Sequence, residues 1–174
     1  VMRSFLRQDP DVMMVGEMRD PESLGIGIQA SLTGHLVLST LHTNNAIETL
    51  GRMMDMGAEP YLIASTVQAV MAQRLVRTIC ANCKTPYKPP PDELLEIGID
   101  PARVQNHVFY QGAGCDICRK TGFKGRLGLF EIVVSTPDLR ELIARRATVG
   151  ELTQFIRGKQ QMRTMLEDGY AKIA

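Results

Sequence analysis

The sequence predicts an α/β fold with a partial parallel β-sheet, an inserted small metal-binding module and a helical C-terminal region. Three observations carry the prediction: two short apolar runs flanking a helix-like segment, four cysteines falling as two close pairs, and helix-start signals that recur from residue 135 onward.

The first apolar run, Val12 to Val15, lies between Pro10 and Gly16 and fits a strand buried on both faces of a parallel sheet, with acidic Glu17 just beyond its end. Asp20-Pro21 then suits a helix start, and Leu24, Ile28 and Leu32 recur at helical spacing until Gly34. Leu36 to Leu41 reads as a second strand, completing a βαβ unit whose ligands would gather at the strand C-terminal ends. Ile47, Leu50, Met53 and Met54 mark an amphipathic helix from Asn45 to Met56, and Tyr61 to Val76 reads as another. The methionines of this stretch are expected in the core, filling irregular gaps. Beyond Arg77 the prolines 86, 89, 90 and 91 and the cysteine pairs announce a separate module, with a short helix over Asp92 to Ile97. A β-like stretch, Leu127 to Val134, follows. Ser135-Thr136-Pro137 opens a helix to about Ala147, Thr148 and Glu151 form a capping-box pattern, and Met162 to Ile173 forms the last helix.

With 44% hydrophobic and 22% charged residues over 174 positions, the chain is expected to fold around one sizeable core plus a small satellite. Lys+Arg 20 against Asp+Glu 19, a net charge of +1, leaves no positive excess for neutralising a phosphate backbone, so nucleic acid is not expected as a partner. Arg3, Arg7 and Asp9 interrupt any signal-like start, and the stretch from Ser23 to Ile47, although free of charged residues, is too rich in glycine and polar groups for a membrane span. A cytoplasmic location is the expectation. The chain starts without methionine and its last helix-like run reaches Ala174, which predicts a piece of a longer protein.

Cys80-Ala-Asn-Cys83 and Cys115-Asp-Ile-Cys118 are two knuckles, each able to present two thiolates to one tetrahedral zinc ion. Two disulfides or four unpaired thiols are the alternatives. Four cysteine ligands would close the site, making it structural and not catalytic.

Glu17, at the end of a buried strand within Gly16-Glu17-Met18-Arg19-Asp20, resembles a Walker B element. A carboxylate there can orient water or hold magnesium; a helix cap or surface ion pair is the plainer reading. His42 follows the neighbouring strand in Gly34-His-Leu-Val-Leu-Ser-Thr-Leu-His42-Thr-Asn44, so both motifs face one sheet edge. A histidine in that position by itself is more often a hydrogen-bonded structural residue than a phosphate contact.

In combination, LRQDPD, VGEMRD, QASLTGHLVLSTLHTN, EPYLIAST, AQRLVR, CANC, GCDIC and GRLGLFE, in that order, closely resemble the type II secretion and type IV pilus assembly ATPases over nearly the whole chain. The resemblance implies a RecA-like core (residues 1–78), a four-cysteine zinc module (79–122), and a β-stretch with C-terminal helices (123–174). It implies Glu17 as the Walker B glutamate and His42 as the His-box contact to the terminal phosphate. His35 matches the first histidine of that box, with a loop-shaping role, and Arg126 is a candidate nucleotide-side contact. Arg7, Arg19, Arg74 and Arg77 are candidate phosphate or subunit-interface contacts, with ordinary ion pairs as the alternative.

What the resemblance further implies is ATP with Mg2+ as the full-length protein's nucleotide and metal, a homo-hexamer, and partners among inner-membrane platform and cytoplasmic adaptor proteins. Its four-cysteine module favours export or pilus extension over retraction. Nothing in the chain matches G-x-x-x-x-G-K-[ST], so phosphate binding is expected to be severely weakened and the isolated chain to hydrolyse little or no ATP. A zinc-stabilised binding or adaptor module is the competing reading.

Overall fold

The computed structural model describes residue 8 and residues 10–173 and is an α/β assembly of two compact units, one formed by Val1–Arg74 with Leu129–Ala174 and the other by Leu75–Gly128. In the first, β1 (Val12–Val15) and β2 (Leu36–Ser39) pair in parallel, Val12 opposite Leu36 and Val15 opposite Ser39. Helix α1 (Pro21–Leu32) makes the crossover. Asp20 starts it, accepting a hydrogen bond from the Ser23 N–H at 2.8 Å, while Pro21 occupies the first turn, where its missing N–H costs nothing.

The expected burial of both faces of β1 does not hold. Met13 is buried but Met14 is 76% exposed, and Val12, Leu36 and Leu38 are exposed on the same two strands. Helix α1 packs against β2, and the residues of the opposite alternation, Val12, Met14, Leu36 and Leu38, point away from that buried face. Leu32, counted in the apolar stripe of α1, is also exposed, whereas Leu24 and Ile28 are buried.

Helix α2 (Ala46–Asp55) begins at Asn45, whose side chain accepts from the Glu48 N–H, and Ile47, Leu50 and Met53 turn inward as the spacing predicts. The helix read from Tyr61 to Val76 is corrected. Helix α3 (Pro60–Thr66) stops after two turns, and β3 (Ala69–Ile79) takes over, paired with β6 (Phe123–Val134). Thr66, Val67 and Val70 are stiff β-branched residues, and the backbone hydrogen bonds offered by β6 outweigh a helical spacing that a short apolar run cannot distinguish from a strand. Met71, expected in the core, therefore lies 61% exposed on β3, while Met53 and Met56 are buried.

Helices α5 (Pro137–Ala144), α6 (Val149–Gly158) and α7 (Met165–Ile173) complete this unit. The Thr148–Glu151 capping box forms with both reciprocal hydrogen bonds. Leu50, Ile63, Val133, Leu139, Ile143, Leu152 and Ile156 form one buried cluster, with α3 on α5 and α2 on α6.

The second unit holds β4 (Lys84–Tyr87) antiparallel to β5 (Phe109–Gly112), and between them the short helix α4 (Pro91–Glu96), where Leu94 is buried. Among the described residues no helix is long and apolar enough to cross a membrane.

Candidate functional site

Parallel pairing places the C-terminal ends of β1 and β2 side by side, so the residues that leave them must meet. The chain leaving β1 is fastened to the chain leaving β2 by the Met18 N–H donating to the Thr40 carbonyl at 3.1 Å and by the Thr40 hydroxyl donating to the Gly16 carbonyl at 2.6 Å. Glu17 lies between these two bonds. Its Oε1 is 3.0 Å from His42 Nε2 and its Oε2 is 2.6 Å from Arg19 Nη2. The hydrogen bond from Arg19 holds the Glu17 carboxyl below the usual carboxylate range, against a smaller effect of desolvation, so the group is an anion at neutral pH. Its side chain is 18% exposed against 87% for His42, which leaves the imidazole facing solvent beside an anchored carboxylate.

Beyond His42 the loop borders an open cleft of about 560 Å³ lined by Thr43, Asn44, Arg52 and Arg74 among others. Arg74 Nη2 reaches the Asn44 side-chain oxygen at 3.5 Å. Of the residues singled out from sequence, then, Glu17, Arg19, His42 and Arg74 share one edge of the first unit. His35 does not join them: its Nδ1 lies 3.0 Å from both the Ala30 carbonyl and Thr33 Oγ1, a tie to the end of α1 that shapes the turn into β2. Arg77 and Arg126 belong to the second unit, Arg77 stacked over the Phe123 ring at 4.0 Å and Arg126 exposed on β6. Arg7 lies outside the described residues.

The second unit gathers Cys80, Cys83, Cys115 and Cys118 so that all four sulfurs lie within 4.8 Å of one another. None is in a disulfide, and the nearest sulfur pairs are 3.7 to 3.9 Å apart. A tetrahedral zinc with bonds of about 2.3 Å requires sulfur–sulfur edges of about 3.8 Å, so the cluster fits such an ion without rearrangement. Covalent pairing would require about 2 Å.

Local backbone geometry makes the knuckles. The Cys83 N–H donates to the Cys80 carbonyl, and Arg119 and Lys120 adopt left-handed conformations that turn the second knuckle back on itself. The Cys115 and Gly122 N–H groups donate to Cys118 Sγ at 3.2 and 3.3 Å, drawing its thiol down to about 6. The Asn82 amide does the same for Cys115 at 3.4 Å, whereas burial pushes Cys83 up to about 11. Gly112 and Gly122 pass so closely that a Cβ on the former would sit 2.0 Å from the carbonyl oxygen of the latter.

One residue escaped the sequence reading. Glu131, on β6, is 5% exposed, and its signal was a lone carboxylate inside an otherwise apolar run.

The family described as "Type II/IV secretion system protein" matches residues 1–174. The chain is 45% identical over 99% of its length to type II secretion system protein E of Pseudomonas aeruginosa, covering 34% of that protein. It is 43% identical over 98% of its length to the type IV pilus assembly ATPase PilB of Thermus thermophilus, covering 19% of it. Among solved structures, the pilus retraction motor PilT with bound ADP superposes with a TM-score of 0.64 at 26% identity, covering 98% of this chain and 38% of that one. The Legionella pneumophila ATPase DotB gives 0.63 at 25% identity, with 98% and 37% covered. The chain thus spans at most about a third of the curated relatives named here.

Proposed function

Since the chain belongs to the Type II/IV secretion system protein family, we propose that it is the C-terminal part of a motor ATPase that powers type II protein secretion or type IV pilus extension. The observation that carries this reading is the meeting of Glu17 with His42 at the C-terminal edge of two parallel strands. Ligands of open α/β sheets bind at that edge. There Glu17, anionic and held by Arg19, is the group that orients the attacking water, and His42, exposed beside it, contacts the terminal phosphate. Phosphoryl transfer to water demands mainly such positioning and electrostatic stabilisation. Arg74, on the cleft wall, supplies a further cation for a phosphate or a neighbouring subunit. His35 serves the loop and not the nucleotide.

The phosphate-binding loop and its Mg2+ belong to the full-length protein in this reading, and ATP is its substrate. Zn2+ is the metal of the second unit, held by Cys80, Cys83, Cys115 and Cys118, where it supplies folding free energy on the order of 10 kcal/mol and no chemistry. The working form is a homo-hexamer acting in the cytoplasm at the inner membrane, against platform and adaptor proteins. Secretion and pilus relatives resemble the chain equally, at 45% and 43% identity, so either task fits.

The deciding experiment is ATP hydrolysis by the full-length protein and its Glu17→Gln variant, with this chain as a third sample. Activity lost in the variant and absent from this chain supports the motor. A folded, oligomeric full-length protein without hydrolysis would replace it with a structural adaptor.

A further inference from the structure

Among the described residues of the first unit Glu131 is the buried carboxylate, and no step of the proposed reaction uses it. Its two oxygens serve two different helices. Oε1 accepts from the Ala46 N–H, at the first turn of α2, at 2.7 Å; Oε2 accepts from the Met165 N–H, at the first turn of α7, at 3.2 Å. Each helix N-terminus presents unsatisfied N–H groups and a partial positive charge, so one anion stabilises both. Ala46 follows the His42 loop almost directly, and that loop is held locally by Thr43 Oγ1 against Thr49 Oγ1 at 2.8 Å and by Asn45 capping Glu48, and from β3 by the long 3.5 Å reach of Arg74 to the Asn44 side chain. The α7 end is held in turn by Arg157, bidentate to Glu167, whose carboxylate also accepts from the Thr164 N–H.

We propose that Glu131 is a positioning residue that transmits the placement of the C-terminal helix α7 to the His42 loop, and so sets the contact between His42 and Glu17. This rests on the motor reading for its effect on turnover, but not for the coupling itself. A load or partner that displaces α7 would loosen the Met165 bond, let the carboxylate follow, and release the start of α2. The site is thereby tuned from the far end of the chain without any change to a group that meets the nucleotide.

The test separates coupling from simple instability. Met165→Pro deletes the donor on α7 alone, since proline is tolerated in a first helical turn, and Met165→Ala removes the same side chain while keeping the N–H. In the full-length ATPase, Met165→Pro and Glu131→Gln are expected to lower kcat roughly tenfold with KM for ATP unchanged within about twofold, because small misplacement of a reacting group is costly. Met165→Ala and the core variant Leu152→Ala are expected to keep kcat within about twofold at a temperature where all are folded. In this chain itself, the nitrogen NMR signals of the His42 ring should respond to Glu17→Gln in the wild type and in Met165→Ala, and lose that response in Met165→Pro.

A response in Met165→Pro equal to that in Met165→Ala would overturn the coupling, whether or not the full-length protein hydrolyses ATP. So would a kcat loss in Leu152→Ala matching that in Glu131→Gln. Absence of hydrolysis in the unmodified full-length protein would instead remove the motor reading and leave the NMR comparison to decide.

Discussion

Glu17 and His42, brought together across a βαβ unit, stand 3.0 Å apart with the same carboxylate gripped from its other side by Arg19 at 2.6 Å. The pairing divides the labour of one anion: one oxygen is committed to a guanidinium that keeps it charged, the other faces an exposed imidazole. Removing the charge without changing the shape should therefore be specific. Glu17→Gln in the full-length protein is expected to reduce kcat by roughly a hundredfold or more, the scale of an acid–base group in a transition state. Steady-state hydrolysis with a matched thermal melt checks this, since a group at the sheet edge should leave the melt almost unchanged.

Arg19 acts through Glu17. Arg19→Ala is expected to raise the Glu17 carboxyl back toward the ordinary range, because the hydrogen bond from Arg19 is the main cause of its depression. A carboxyl-selective NMR titration reads this directly; an unchanged Glu17 midpoint would show that His42 and the backbone hold the anion without help.

For the cysteine cluster the expected stoichiometry is one zinc per chain, by elemental analysis of protein purified without added metal. Chelation should expose four reactive thiols together and unfold the second unit, because the sulfurs already sit at tetrahedral spacing and a zinc ion there would link both knuckles. Cys80→Ser or Cys118→Ser should lose the metal outright. Full folding of either variant without metal would remove zinc from the account.

The close passage of Gly112 over Gly122 predicts a sharp local intolerance. Gly122 has φ +76°, and a Cβ there would stand 2.5 Å from the Gly112 carbonyl oxygen. Gly122→Ala is expected to cost more than about 1 kcal/mol, since both the left-handed backbone and the backbone contact oppose it. Gly125→Ala, also at positive φ but with open space around it, should cost less. Zinc affinity and urea melts of the two variants make the comparison.

The Arg157–Glu167 pair gives a pH dependence with a definite sign. Arg157 and the Thr164 N–H draw the Glu167 carboxyl down from about 4.5 to about 2. A group with a depressed folded pKa binds fewer protons in the native state, so its stabilisation is fully present above about 5 and is lost as the pH falls toward 2. Urea melts of wild type and Glu167→Gln should accordingly differ most near neutrality and converge in acid. A gap that persisted at pH 2 would assign the effect to packing and not to the charge.

Elements whose signals are local were legible in the amino acids. The caps at Asp20, Asn45, Thr136 and Thr148 all form, because a side chain three residues from its N–H needs no tertiary help. The two cysteine pairs announced a cluster, because spacing within each knuckle decides whether two sulfurs can turn to one point. Non-local information was what the sequence lacked. The helix read from Tyr61 to Val76 became a short helix and a strand because β6, far along the chain, offered Ala69 to Ile79 a partner. Apolar residues of β1 expected in a buried sheet stand exposed because burial depends on which elements lie over a face, not on the strand itself. The Glu17–His42 contact was foreseeable only as a shared edge; its 3.0 Å approach, and the separation of His35 from it, came from the parallel register of β1 and β2. Glu131 is the clearest case. Its charge reads from sequence as an anomaly in an apolar run, and only folding gives it two helix N-termini to satisfy, because a buried anion is tolerated where distant donors converge on it.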